Sequence, residues 1–419
     1  MSTVIHLLWA TIERALPRVA SAVILLAFAT FTNPDAVGIY SWVALSYTLY
    51  LAIVENVLRN QAIMGIGNAR DMEYVRRLSR RASWAGSLFL VLTLGILWLV
   101  YRSAMAQEIL LLTPFVAVPF ISRTGITAVA TMQYAQRWRE LARFQLWAAL
   151  GGLAGSFTTV MVTHSALGMS VHVVITESVF AALALRSART VAVPTDLPTR
   201  NPQSETPSLS LLGGLGWSQG QLERVVIGGL AGISTLGLYS TASTMGRSPG
   251  EALATATANY LRASVSGLPE EKSHAAVVRR VGLISVAAAS SAAFMAVILV
   301  DFIFDPLLGP SWAATLHAVP LLAVATIPYA ASLGLQTMSV YYQNPRASIV
   351  PAVLALACAF PIGWLALTSL TAAAMMVIVK ELMVLIVCAL MARIPGSRET
   401  VVAACAATTV VGTLIRLFA

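Results

Sequence analysis

The sequence predicts an all-α, polytopic membrane protein of about twelve transmembrane helices, in two pseudo-repeated six-helix bundles around a central cavity. Three observations lead there: the composition, the count of apolar segments, and a weak internal repeat. The chain of 419 residues is 58% hydrophobic and only 11% charged. Its mean hydropathy is +0.78. Soluble domains are about 45–50% apolar and about 25% charged. So few charges leave too little polar surface to cover a water-soluble fold, so lipid is the main solvent. That excludes a globular cytosolic enzyme, a nucleic-acid binder and a disordered scaffold.

A membrane-crossing helix needs about 20 mostly apolar residues. Twelve segments qualify: 12–32, 36–63, 83–101, 109–132, 144–164, 168–186, 209–232, 236–261, 281–301, 313–341, 348–367 and 371–392. The apolar run 400–417 is either a thirteenth span or a tail at the interface. The first segment carries Glu13, Arg14, Pro17 and Arg18 and runs on to Phe31. It is too long and too interrupted for the apolar region of a cleavable signal peptide.

The 27 basic residues and the net charge of +9 divide by position. Eighteen fall in the loops after even-numbered spans. These are Arg70, Arg76, Arg77, Arg80 and Arg81; Arg137, Arg139 and Arg143; Arg186, Arg189 and Arg200; Arg262, Lys272, Arg279 and Arg280; Arg346; and Arg393 and Arg398. The opposite loops hold only Arg102. This bias places the even loops and the N-terminus in the cytoplasm. Most of the net charge is therefore topological and calls for no acidic partner.

The halves share short matches. Gly38-Ile39-Tyr40-Ser41 opens the second span and Gly237-Leu238-Tyr239-Ser240 the eighth. Thr131-Met132 with Gln136 and Arg139 echoes Thr337-Met338 with Gln343 and Arg346. Between them, 194–208 holds Pro194, Pro198, Pro202 and Pro207 and reads as a cytoplasmic loop. The expected divisions are an N-terminal bundle at 1–190, a linker at 191–208, a C-terminal bundle at 209–393 and an apolar tail or extra helix at 394–419. Six spans return the chain to its starting side, so the halves share one orientation.

Eight basic residues lie inside apolar runs: Arg14, Arg18, Arg59, Arg123, Arg224, Arg247, Lys380 and Arg416. Six acids join them: Glu13, Glu55, Glu177, Glu223, Glu251 and Glu381. A charge at mid-bilayer costs at least about 2.5 kcal/mol, so each faces protein or water. Most sit in the first two spans of each half, as a central hydrophilic cavity requires. Arg14, Arg18, Arg59, Arg123, Arg224 and Arg247 are the candidate binding residues, because arginine's planar fork suits phosphate or carboxylate. Glu55, Glu177, Glu223 and Glu251 are candidate ion couplers. Simple neutralisation competes with function at Glu55–Arg59 and Arg247–Glu251, each four residues apart and so on one face. Arg14 and Arg18 lie near a membrane edge, where snorkelling to headgroups is the alternative. Lys380 and Glu381 are adjacent, do not share a face, and read as structural.

Other signals are weak. Pro17, Pro114, Pro119, Pro249, Pro320, Pro328, Pro351 and Pro361 interrupt apolar runs and permit bending. Gly151-xxx-Gly155, Gly216-xxx-Gly220 and Gly228-xxx-Gly232 permit close helix contact. Gly216-Trp217-Ser218-Gln219-Gly220 matches a nucleophile elbow in letters, but inside an apolar helix rather than a strand–turn–helix. Cys358, Cys388 and Cys405 are far apart, and His6, His164, His172, His274 and His317 lack ligand spacing, so no metal or other cofactor is expected. There is no Walker A sequence, and the two lysines, Lys272 and Lys380, lie outside any glycine-rich loop.

Two tracts carry a family resemblance. Asn33-Pro34-Asp35-Ala36-Val37-Gly38-Ile39-Tyr40-Ser41 resembles the start of the second span in polysaccharide exporters. Gln219-Gly220-Gln221-Leu222-Glu223-Arg224-Val225-Val226-Ile227-Gly228, followed by Leu236-Gly237-Leu238-Tyr239-Ser240, resembles their seventh-to-eighth span passage. These are the Wzx-type oligosaccharide flippases of the multidrug/oligosaccharidyl-lipid/polysaccharide (MOP) exporter superfamily. In that passage the acid before the arginine is more often aspartate; here it is Glu223. The resemblance implies two six-helix bundles around a cationic cavity, alternating access, and a cargo of sugars on a polyprenyl diphosphate carrier. The partners it implies are that lipid-linked anionic glycan, membrane lipids and other polysaccharide-assembly proteins, with no nucleic acid. The location it implies is a bacterial inner membrane. The alternatives are a lipid II flippase or cation-coupled drug antiporter of the same superfamily, and a membrane-embedded glycan polymerase, which the short external loops disfavour.

Overall fold

A computed structural model describes the chain except residues 1, 67, 192–205, 267–270, 342–345, 393, 395 and 419. The described residues are helical almost throughout and contain no strand. Among the described residues, eleven helices are long and apolar enough to cross a membrane, and a shorter apolar helix covers Val19–Phe31. The large side chains left outside are those a lipid phase accepts: Phe302 is 77% exposed and Leu99 73%. The fold is the all-helical, multi-pass one that the composition predicts.

The chain forms two compact units, Ile12–Thr32 with Ile39–Gln221, and Met1–Thr11 with Asn33–Gly38 and Leu222–Ala419. The first holds most of α1 (Ser2–Phe31) and α2 (Pro34–Tyr50), followed by α3 (Asn56–Gly65), α4 (Ala69–Leu111), α5 (Val118–Tyr134), α6 (Trp138–Thr163) and α7 (Leu167–Ala188). A π-helical turn, Leu51–Glu55, joins α2 to α3. Leu58, Ala62, Val75, Ile126 and Ala130 make one core of this unit. Ala128, Val129, Met132, Leu141 and Ala184 make another.

Two expectations change here. The arginines from Arg70 to Arg81, read as a loop, lie on the first turns of α4. Asn68 starts that helix by accepting the amides of Arg70 and Asp71 at 3.0 and 3.3 Å. The helix kinks at Met105, and the stretch before that kink alone runs about 54 Å, well beyond the hydrocarbon thickness, so its polar end projects into water and keeps the positive side charged. The glycine pairs also differ from the sequence reading. A methyl on Gly155 would collide with Ile175, but Gly216 and Gly220 face open space. Gly152 and Gly168, outside the motif, supply the other close approaches between α6 and α7.

The second unit contains most of α8 (Thr206–Ser266), then α9 (Glu271–Leu299), α10 (Asp305–Leu307), α11 (Ala313–Val324), α12 (Thr326–Tyr341), α13 (Arg346–Ala366), α14 (Leu370–Ala392) and α15 (Ser397–Phe418). The run 400–417 is thus a helix. Ala404 joins Val278, Val281, Ala289 and Leu335 in this unit's core, so α15 packs as a member of the bundle. Its stretch Ser397–Ile415 meets the length and hydropathy of a span.

The internal repeat has a structural counterpart within this unit. Asn33 caps α2, its side-chain oxygen accepting the Ala36 amide at 2.9 Å. One turn later, a methyl on Gly38 would strike the carbonyl of Ile233. Likewise, a methyl on Gly237 would strike the carbonyl of Pro34. Gly38 follows Pro34 by four residues and Gly237 follows Ile233 by four. The two contacts are therefore equivalents of one another under the offset that relates the repeats.

Candidate functional site

The helical run α8 contains a break. Gly232 has φ 86° and ψ 177°, a backbone conformation open to glycine almost alone. Along one straight helix, Glu223 and Arg247 would lie about 36 Å apart. Instead Arg247 donates to Glu223 Oε1 at 3.0 Å. The chain therefore reverses near Gly232, and the segments that carry Glu223 and Arg247 lie side by side.

That reversal assembles a buried ion network. Tyr239, Ser243, Arg247 and Glu251 recur every four residues along the second segment. Tyr239 donates to Glu223 Oε1 at 2.6 Å. Arg247 pairs with Glu223 at 3.0 Å, Glu251 at 2.9 Å and Glu381 at 3.2 Å. Lys380 pairs with Glu223 at 2.7 Å and Glu381 at 3.0 Å. Arg247, Glu223, Lys380 and Glu381 are each 1–2% exposed. The Tyr329 ring of α12 lies 5.8 Å from the Arg247 guanidinium. Three carboxylates thus surround two cations. Such burial is tolerable only because each charge is paired.

Lys380 and Glu381, read from the sequence as a structural pair on different faces, both join this network. Their Cα–Cβ directions diverge by about 100° on α14, but both side chains are long and bend towards Arg247. The signal available was two adjacent opposite charges in an otherwise apolar span.

Arg224 borders this network, within electrostatic reach of Glu223, Glu251 and Arg247. It donates to Ser243 Oγ at 2.8 Å. Among the described residues no carboxylate forms a salt bridge with it.

In the other unit, Arg123 sits midway along the span Thr113–Tyr134. Its guanidinium lies 5.9 Å from the Phe120 ring, and no described carboxylate forms a salt bridge with it. Glu177 accepts a hydrogen bond from Tyr47 at 3.1 Å. Arg59 is half-buried on α3. The side chains of Arg14, Arg18 and Glu55 lie outside the described residues. Among the described residues, no group of three His, Cys, Asp or Glu is placed to hold a metal. Gly216–Gly220 lies within α8, without the strand and turn of a nucleophile elbow.

Long apolar helices with arginines and carboxylates held inside them mark a multi-pass membrane protein. Residues 31–317 match the family described as "Polysaccharide biosynthesis protein", and the chain belongs to that family. No curated protein matches it. Its fold is similar to that of the lipid II flippase MurJ in an inward closed conformation, with TM-score 0.65, 10% identity, and 98% of this chain and 97% of that one covered. It is similar also to an inward-facing MATE-family multidrug resistance transporter of the MOP superfamily, with TM-score 0.60, 14% identity, and 97% and 98% covered. A MOP superfamily transporter from Pyrococcus furiosus, described by the reverse polarity of its binding pocket, gives TM-score 0.56 at 14% identity, with 99% and 95% covered. The fold is that of MOP transporters.

Proposed function

We propose that this chain is a secondary transporter that flips polyprenyl-diphosphate-linked oligosaccharide from the cytoplasmic to the outer leaflet, for cell-surface polysaccharide synthesis. In this reading it sits in a bacterial inner membrane with its N-terminus in the cytoplasm. It meets membrane lipids and other polysaccharide-assembly proteins there. Family membership supports the biosynthetic context. The observation that carries the cargo is Arg123, an arginine midway along a span with no described carboxylate in a salt bridge to it. Arg224 repeats the pattern in the second unit. A diphosphate–sugar head cannot enter about 30 Å of hydrocarbon without losing its hydration, at a cost of many kcal/mol. Arginines replace that hydration with charge-assisted hydrogen bonds, while the lipid tail stays in the bilayer. Rocking of two repeats then exposes the head to the other side.

A second reading, a cation-coupled antiporter, draws on one observation: three carboxylates, Glu223, Glu251 and Glu381, converge on Arg247. Deletion of the gene separates the two. The flippase reading expects lipid-linked glycan to accumulate on the cytoplasmic leaflet. Unchanged flipping in that strain, with no redundant transporter, overturns it.

A further inference from the structure

Lys380 Nζ stands 2.7 Å from Oε2 of Glu223 on α8 and 3.0 Å from Oε1 of Glu381 on α14. The side chain is 1% exposed. Two carboxylates from two helices, converging on one point in an apolar bundle, make an oxygen-lined and negative position. Hard metal cations occupy positions of that kind. Here the point is already filled by an ammonium of the chain itself. Lysine suits that place because its charge is compact and sits on a flexible stem, unlike the broad guanidinium. The choice stands out in this sequence, which has only two lysines among its 27 basic residues. Arg247 ties the same group together by bridging Glu223, Glu251 and Glu381. Without Lys380, Glu223 Oε2 would lose its ammonium partner and Glu381 would keep only Arg247, and a buried excess of negative charge recruits a counter-ion.

We propose that Lys380 is a tethered cation: its ammonium fills the position between Glu223 and Glu381 that a free monovalent metal ion would otherwise take. The network in α8 and α14 is then complete without ion exchange, and the ion that energises transport does not enter through it. This holds whatever the cargo, and it counts against the antiporter reading at this site.

The test uses the full-length protein purified in detergent, its unfolding followed by intrinsic tryptophan fluorescence in NaCl, KCl or choline chloride at matched ionic strength. Wild type is expected to melt at the same temperature in all three. K380A is expected to lose about 5 °C or more in choline. It should regain most of that, saturably, on addition of NaCl or ethylammonium chloride. K380S, whose hydroxyl adds an oxygen to the vacated position, is the second variant and should behave alike. The double variant K380A/E381Q, with one carboxylate fewer, should lose the cation dependence. Two results overturn the proposal. One is saturable Na+ or K+ stabilisation of wild type that E381Q removes. The other is folded K380A or K380S whose melting ignores the cation supplied.

Discussion

Gly38 presents its α-carbon to the backbone carbonyl of Ile233 so closely that no methyl group fits between them. Gly237 does the same to Pro34. Backbone cannot yield as a flexible side chain does, so G38A and G237A should each destabilise by about 1–3 kcal/mol, the usual cost of overpacking. G220A is the control, since that position faces open space. Thermal melts of the purified variants check the contrast; equal melting of G38A and G220A would remove the repeat contact from the packing.

Gly232 holds φ 86° and ψ 177°. Any side chain there strains the backbone by about 1–3 kcal/mol. G232V should therefore lower the melting temperature although no neighbour lies within 4 Å of the new β-carbon. A melting temperature equal to wild type in G232V would show that the reversal tolerates a Cβ.

Arg247 meets three carboxylates at 3.0, 2.9 and 3.2 Å. R247M leaves them facing each other across a buried site. Breaking a buried pair by removing one partner costs about 3–5 kcal/mol, so R247M should be among the least stable single variants in the second unit. R247M/E223Q should recover part of the loss by removing one stranded charge. A double-mutant cycle on melting temperature measures that coupling; strict additivity would show that the two side chains do not interact.

Arg123 and Arg224 test the cargo instead. R123A and R224A should abolish export while the protein still accumulates in the membrane and melts near wild type. R123K should retain partial export, because a point charge replaces the bidentate fork. Export assays in a deletion strain, with the variant protein quantified in the membrane, read the outcome; wild-type export in both alanine variants would make the arginines structural.

Much of the fold is legible in the sequence because lipid imposes one simple demand, a helix of sufficient apolar length. The apolar segments follow from hydropathy, and the Arg247–Glu251 pair from helical spacing. The helical extension of α4 does not, since polar helix formers beyond the membrane look like loop in a hydropathy profile. The network escaped for a different reason. Glu223 and Arg247 are 24 residues apart and meet only because Gly232 reverses the chain. Lys380 and Glu223 are 157 apart and meet only through tertiary packing. Side-chain length also defeats face arithmetic: helical spacing places Cβ atoms, and a lysine head lies several bonds beyond.

The Arg247 network also bears on how such a sequence drifts. Glu223, Arg247, Lys380 and Glu381 share one sealed charge balance, so a change at any of them leaves a stranded ion unless another changes with it. Across related chains, these four positions should be inherited as a set, switching together or not at all, whereas the arginines of the cytoplasmic edge exchange freely so long as their number holds.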